Sequence, residues 1–265
     1  MTKRHLPTTE KFQLMHIVIK TTGKGHGSDQ WIFNNRNKRE LQTQLKRFLN
    51  LFDPIELIAF TIMSNHAHII LNIPMNYEIR RDEVAQKYHQ CYPNRKIHPN
   101  SSTCQKLQKQ LNNISCFMQR FARDFAIRFN RNRTFKRTGH LWANRFHNTN
   151  LGDDVALLKC WIYVMLNPVK AKMTTNPLDY KFNSINCNDG QFMQEVWENF
   201  YELYKYLSDK PNLTLDQFKT MIFAILRTEL DKWNTMNEEQ RTEYRNSHHF
   251  WDKFIYVDKH YLDTA

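Results

Sequence analysis

The sequence predicts an α+β fold: a ferredoxin-like αβ sandwich on an antiparallel sheet, followed by a helical C-terminal appendage. Three observations predict it. Strand-like and helix-like periods alternate as strand, helix, strand, strand, helix, strand over the first two thirds of the chain. Two of the strand-like runs are separated only by Ser64-Asn65-His66, the spacing of a hairpin. Beyond residue 190 the composition shifts to aromatic-rich segments with helical spacing alone. The division expected is therefore 1–189 for the sandwich and 190–265 for the appendage.

Phe12 to Lys20 (FQLMHIVIK) is a β-branched apolar run closed by the Gly-rich TTGKGHGSD, which reads as a first strand and a turn. Glu40 to Phe52 sets Leu41, Leu45, Phe48, Leu49 and Phe52 at helical intervals before Asp53-Pro54. Ile55 to Met63 and Ala67 to Ile73 form the hairpin strands, and Pro74 ends the second. Residues 76–104 are polar, contain Pro93 and Pro99, and read as an insertion or mobile loop.

Leu111 to Asn132 is the strongest helical pattern, with Leu111, Ile114, Met118, Phe121, Phe125 and Phe129 at intervals of three or four. A short strand is expected around Leu141 to Asn148. Asp153 to Leu166 then reads as a helix with acidic residues at its start and Pro168 just past its end. In the appendage, Met193, Val196, Trp197, Phe200, Tyr204 and Leu207 form one stripe, and Phe218, Met221, Ile222, Ile225 and Leu226 another.

Charge narrows the function. Across 265 residues, 38 Lys and Arg against 26 Asp and Glu give a formal +12, with a pI near 9.5. That excess favours a polyanionic partner, a nucleic acid or an acidic membrane surface. No run is long and apolar enough to span a bilayer, and the N-terminal residues lack a secretory apolar stretch, so a cytoplasmic protein is expected. The five cysteines, Cys91, Cys104, Cys116, Cys160 and Cys187, are scattered and form no C-x-x-C pair, which suggests reduced thiols rather than disulfides or a zinc site.

Between Arg95 and Phe146 there are twelve basic residues and one acid, Asp124. Such a bias suits a surface that tracks phosphates, with Phe135, His140 and Trp142 available to stack on bases. A solvated helix face is the plainer explanation of the charge, and Trp142 and Phe146 equally suit a core.

His66-Ala67-His68 opens a strand, where alternate side chains share a face, so both imidazoles can meet one metal ion. Alone, such a pair serves more often as polar turn residues. Tyr163 and Asn167, four apart on a helix, present a hydroxyl and an amide on one face. The plainer reading has Tyr163 packing on the sheet and Asn167 capping the helix before Pro168.

Several motifs in order carry a resemblance: M-S-N-H-A-H-I-I-L at 63–71, F-x-R-x-G-H-L-W at 135–142, R-F at 145–146, Y-x-x-x-N-P-V-K-A at 163–171 and D-Y-K-F-N-S at 179–184. Over roughly residues 12–186 the chain resembles the single-tyrosine HUH transposases, most closely the REP-associated branch. The resemblance implies the HUH nuclease fold, His66 and His68 as ligands of a divalent metal, Asn167 as third ligand and Tyr163 as nucleophile. It implies DNA transposition and recombination chemistry: cleavage and rejoining of single-stranded, hairpin-containing or palindromic DNA through a 5′-phosphotyrosine. Two strand cleavages in such a cycle suit a homodimer. The sequence departs from the family at Ser64, commonly proline, and at Ala143-Asn144, commonly Gln-Gly. The second departure leaves the DNA contacts near Trp142 and Arg145 open.

Mixed imidazole and amide ligation fits Mg2+ or Mn2+. Because histidine must be neutral to bind metal, activity is expected to fall as pH drops through about 6.5, the ordinary imidazole value. The DNA-binding residues expected are Arg120, Arg123, Arg131, Lys136, Arg137, His140, Trp142 and Arg145. Two other classes account for parts of the sequence. A noncatalytic single-stranded DNA or RNA binder on the same sandwich explains the charge but not the joint occurrence of His66, His68, Tyr163 and Asn167. A metal-dependent phosphoesterase using water needs more carboxylate or histidine ligands than the motifs supply.

Overall fold

The protein is described by a computed structural model covering residues 12–22, 33–131 and 140–246. It is α+β. A four-stranded antiparallel sheet is built from β1 (Phe12–Lys20), β2 (Glu56–Ile62), β3 (His66–Pro74) and β4 (His147–Asn150), in the spatial order β2-β3-β1-β4. The helices described are α1 (Asn35–Leu51), α2 (Arg81–Cys91), α3 (Ser102–Gln108), α4 (Ile114–Arg131), α5 (Asp154–Lys170), α6 (Gly190–Leu207), α7 (Leu215–Thr235) and α8 (Glu238–Asn246).

Period two divides the sheet into two dissimilar faces. Ile17, Ile19, Ala67, Ile69, Leu71 and Ile73 point to one side and share a core with Leu41, Leu45 and Phe48 of α1 and Phe117, Phe121, Phe125 and Phe129 of α4. Leu14 and Ile70 point to the other side and pack under Leu157, Leu158, Trp161, Ile162 and Met165 of α5. His16, His66 and His68, being even-numbered on the same strands, belong to this second face.

α1 begins before the apolar stripe that announces it. Asn34 caps the helix, accepting from Asn37 N–H while the Asn37 side chain accepts from Asn34 N–H, a reciprocal capping box built from two asparagines. Residues 76–104 are not a bare loop. They contain α2 and the start of α3, whose N-cap Ser101 accepts from Cys104 N–H, and they bury Val84, Cys91 and Cys104 against the α1 side of the core. These helices escape sequence reading because their buried residues are few and widely spaced. The Gly-rich turn after β1 lies outside the described residues from residue 23 onward. All five cysteines are free.

The outer edge of β2 is covered by the D-Y-K-F-N-S segment. Ile62 N–H donates to Phe182 O at 2.8 Å and Ser184 N–H to Phe60 O at 3.0 Å, which satisfies an edge that would otherwise be open. Tyr180 donates its hydroxyl to Ile62 O and receives Lys38 Nζ at 3.1 Å. Lys38 also lies over the Tyr180 and Phe182 rings, and burial lowers its pKa to about 8.

α5 continues to Lys170, past Pro168, which was expected to follow the helix end. Proline has no N–H to donate, and Ala171 N–H bonding to Asn167 O at 3.0 Å carries the turn beyond it. α5 is apolar almost all round because it is covered on several sides: the sheet lies beneath it, and α6, itself packed on β2, and α7 lie against it. Trp161 stacks on Phe200 at 5.2 Å between ring centroids, and Phe200 meets Phe218 edge-on at 4.9 Å. The stripes of residues 190–226 therefore pack directly onto the helix that carries Tyr163. Phe200→Ala is expected to cost about 3–5 kcal/mol, the range for emptying a fully buried phenylalanine site, read from chemical denaturation. A loss below about 1 kcal/mol would mean that α6 contributes little to this core.

Candidate active site

The hairpin places the first two candidate residues. β1 and β3 pair over their full lengths with Val18 opposite His68 and Lys20 opposite His66, so His16 is the diagonal neighbour of His68 on the same face. His68 is buried and His66 half-buried; their ring centroids are 4.9 Å apart with planes at 78°.

α5 brings Tyr163 onto this face. The phenol stands edge-on to His68, with ring centroids 5.3 Å apart and planes at 88°, and edge-on to His16 at 6.0 Å. His66, His68 and Tyr163, assigned from separate motifs, thus lie together. Asn167 follows one turn later, and its amide nitrogen donates to Tyr163 O at 3.1 Å. That bond leaves the amide oxygen as the atom Asn167 can offer a cation.

His16 was not singled out by sequence reading. Its Nε2 lies 3.0 Å from His68 Nδ1, and the two rings stack nearly parallel, 9° apart in plane, at 5.2 Å. His66 Nδ1 lies 2.6 Å from the side-chain oxygen of Asn65. An amide oxygen only accepts, so the proton sits on His66 Nδ1 and Nε2 carries a lone pair. His68 Nε2 is buried and has no hydrogen-bond partner among the described residues. Among the described residues no three His, Cys, Asp or Glu side chains group as a metal site. The lone pairs these residues could offer a divalent cation are the Nε2 atoms of His66 and His68 and the Asn167 amide oxygen.

Electrostatically the face is poor in negative charge. Burial lowers His16 to about 4. His66 also falls to about 4, by burial first and Lys20 second. His68 is held well below the usual imidazole range by burial and then by its neighbours His66, His16, Lys20 and Lys170. Burial raises the Tyr163 phenol, and hydrogen bonding from Asn167 opposes that shift. Lys170 lies over the Tyr163 ring at 5.0 Å and near the Trp233 ring of α7 at 6.0 Å, with its nitrogen sealed from solvent. Burial lowers Lys170 to about 7 against the opposing charge of Glu229.

The expected DNA-binding residues are more dispersed. Arg123, Arg131, His140 and Arg145 are exposed, and Arg120 is half-buried. Lys136 and Arg137 lie outside the described residues. Trp142 is committed elsewhere: its indole N–H donates to Ala122 O at 2.8 Å, and its ring packs against Phe33 at 6.0 Å and Phe125 at 5.8 Å. The core alternative for Trp142 is the one that its contacts match.

No family model matches the sequence, and no curated protein does. Among solved structures, the chain aligns with a REP-associated tyrosine transposase bound to a REP hairpin. The alignment has a TM-score of 0.37 and 12% identity, over 69% of this chain and 82% of that one.

The buried imidazoles change the pH dependence expected from sequence. Folded His16 and His66 take up protons only near pH 4, whereas unfolded imidazole does so near ~6.5. Acid therefore protonates the unfolded chain first. The stabilisation is full above about 6.5 and is lost as pH falls toward about 4. Imidazole proton shifts followed by NMR should show both rings neutral at pH 5.5; midpoints near 6.5 would contradict their burial.

Proposed function

We propose that the protein is a metal-dependent single-strand DNA endonuclease and strand-transferase of transposase type, with Tyr163 as nucleophile. The observation that carries this reading is the convergence of Tyr163 with His66 and His68 on one buried sheet face, where the His68 Nε2 has no partner among the described residues. A structural tyrosine would need only packing. It would not account for two imidazoles beside it, one of them with a buried Nε2 that has no partner among the described residues. The order β1-α1-β2-β3-α4-β4, with α2 and α3 inserted between β3 and α4 and with β1 and β3 central in the sheet, supports the ferredoxin-like arrangement expected of such nucleases.

His66 and His68, with the Asn167 amide oxygen, would hold Mg2+ or Mn2+. When bound, the cation would draw charge from a nonbridging phosphate oxygen and so stabilise the transition state. The chain's own residues account for the remainder. Tyr163 Oη attacks the phosphorus of a phosphodiester, the P–O3′ bond breaks, and the proton lost by the phenol is balanced by one gained at the departing 3′ hydroxyl. The product is a 5′-phosphotyrosine, whose bond to the enzyme is exchanged for a new 3′ hydroxyl in the rejoining step. The α5 backbone and the rings of His16 and His68 hold the phenol in orientation, which limits the freedom that attack would otherwise have to overcome.

Single-stranded DNA with hairpin or palindromic ends is the substrate this reading assigns. The exposed Arg123, Arg131, His140 and Arg145 would contact its phosphates, and losing one such contact should weaken binding about equally for all sequences. The test is a labelled single-stranded hairpin incubated with the protein and Mn2+, then resolved under denaturing conditions. A protein–DNA adduct is expected from the wild type and none from Tyr163→Phe, with hairpin binding retained. Cleavage without an adduct would assign a water nucleophile; binding without either would leave a noncatalytic binder.

A further inference from the structure

We infer that His16 of β1 is a positioning residue for the cation site: its Nε2 accepts a hydrogen bond from His68 Nδ1–H and so keeps His68 in the tautomer whose bare Nε2 faces the site. This rests on the assignment of His66 and His68 as ligands.

The geometry leaves two places for the proton between the rings, which lie 3.0 Å apart at the facing nitrogens. If His16 held it, a neutral His68 would carry its own proton on Nε2, as an N–H buried without an acceptor. Orphaned buried N–H groups are rare, because each forfeits the hydrogen bonds it had with water. If His68 holds the proton on Nδ1, its Nε2 is a lone pair, and a lone pair at this place is what a cation needs. The neighbouring imidazole is arranged in the same sense: Asn65 accepts from His66 Nδ1 and leaves His66 Nε2 bare. Both candidate ligands are thus held from their far nitrogen by an acceptor, one an amide on the hairpin turn and the other a ring on the adjacent strand.

Packing alone does not explain a histidine at position 16. It is 5% exposed in a central strand, and the adjoining positions on its face include the apolar Leu14 and Val18. An aliphatic side chain would fill such a place without a polar ring to satisfy. The near-parallel stacking of His16 on His68 also restricts rotation of the His68 ring, so the same contact sets both tautomer and orientation.

The experiment has two arms. In the metal-free wild type at pH 7, long-range nitrogen–proton NMR correlations should show His68 protonated at Nδ1 and bare at Nε2. Protonation at Nε2 would overturn the inference. In the second arm, Mn2+ affinity is measured by electron paramagnetic resonance without DNA. His16→Leu should weaken it about 10–100-fold, the usual effect of removing such a partner. His16→Gln, whose amide oxygen can accept from Nδ1, should recover most of that loss and serves if the leucine variant does not fold. Equal affinity in wild type, His16→Leu and His16→Gln would overturn the role of His16 while sparing the ligand assignment. A wild type that binds no Mn2+, alone or with the hairpin, would overturn that assignment and the inference with it.

Discussion

Everything that brings the imidazoles beneath Tyr163 depends on the pairing register of β1 with β3. Val18 opposite His68 puts His16, His66 and His68 on the α5 face and Ile17, Ile69 and Leu71 on the α1 and α4 face. A slip of one residue would exchange the two sets, driving three polar rings into the phenylalanine core of α4 and turning isoleucines toward Tyr163. The register is held where the hydrophobic pattern is strictest, along nine paired positions in the middle of the sheet. The site therefore inherits its geometry from the core on the opposite face, and the segment along β2 adds to this by satisfying the sheet edge.

The elements that were legible in sequence are those whose period is expressed on one strongly apolar side. β1, the hairpin, α4 and the stripes of α6 and α7 fall into this group. α1 hides its beginning because its first turn is fixed by an asparagine pair rather than by apolar spacing. α2 and α3 hide because each places only two residues in the core. The extension of α5 past Pro168 shows in the backbone bond from Ala171 N–H to Asn167 O, which no residue type announces.

For the site, the pairing of His66 with His68 and of Tyr163 with Asn167 was legible because each spacing is local to one strand or one helix, whereas their roles came only from the resemblance. His16 was not, since its partner is 52 residues away and a lone histidine in an apolar strand has nothing beside it to mark it. The aromatic and basic residues after α4 show the opposite difficulty. Trp142 suits base stacking by type, yet its indole N–H and ring are occupied within the protein. Residue type suggested that surface, but contacts decide which members remain available.

The helices after residue 190 matter for the electrostatics as well as the packing. With the sheet below and α6 and α7 against it, α5 sits in a region where water is scarce, and burial holds the imidazoles neutral and lowers Lys170 to about 7. Trp233 and Glu229 of α7 flank Lys170 as Lys170 flanks Tyr163, so the appendage reaches the candidate nucleophile by way of Lys170. Around the histidines, among the described residues, the charged neighbours acting on His68 are Lys20 and Lys170, and no carboxylate joins a metal-ligating group. A divalent cation entering such a place meets neutral donors and basic neighbours in a medium that screens charge poorly. In the proposed reaction the missing negative charge is that of the scissile phosphate itself. Cation and DNA would then bind most favourably together, each raising the affinity of the other.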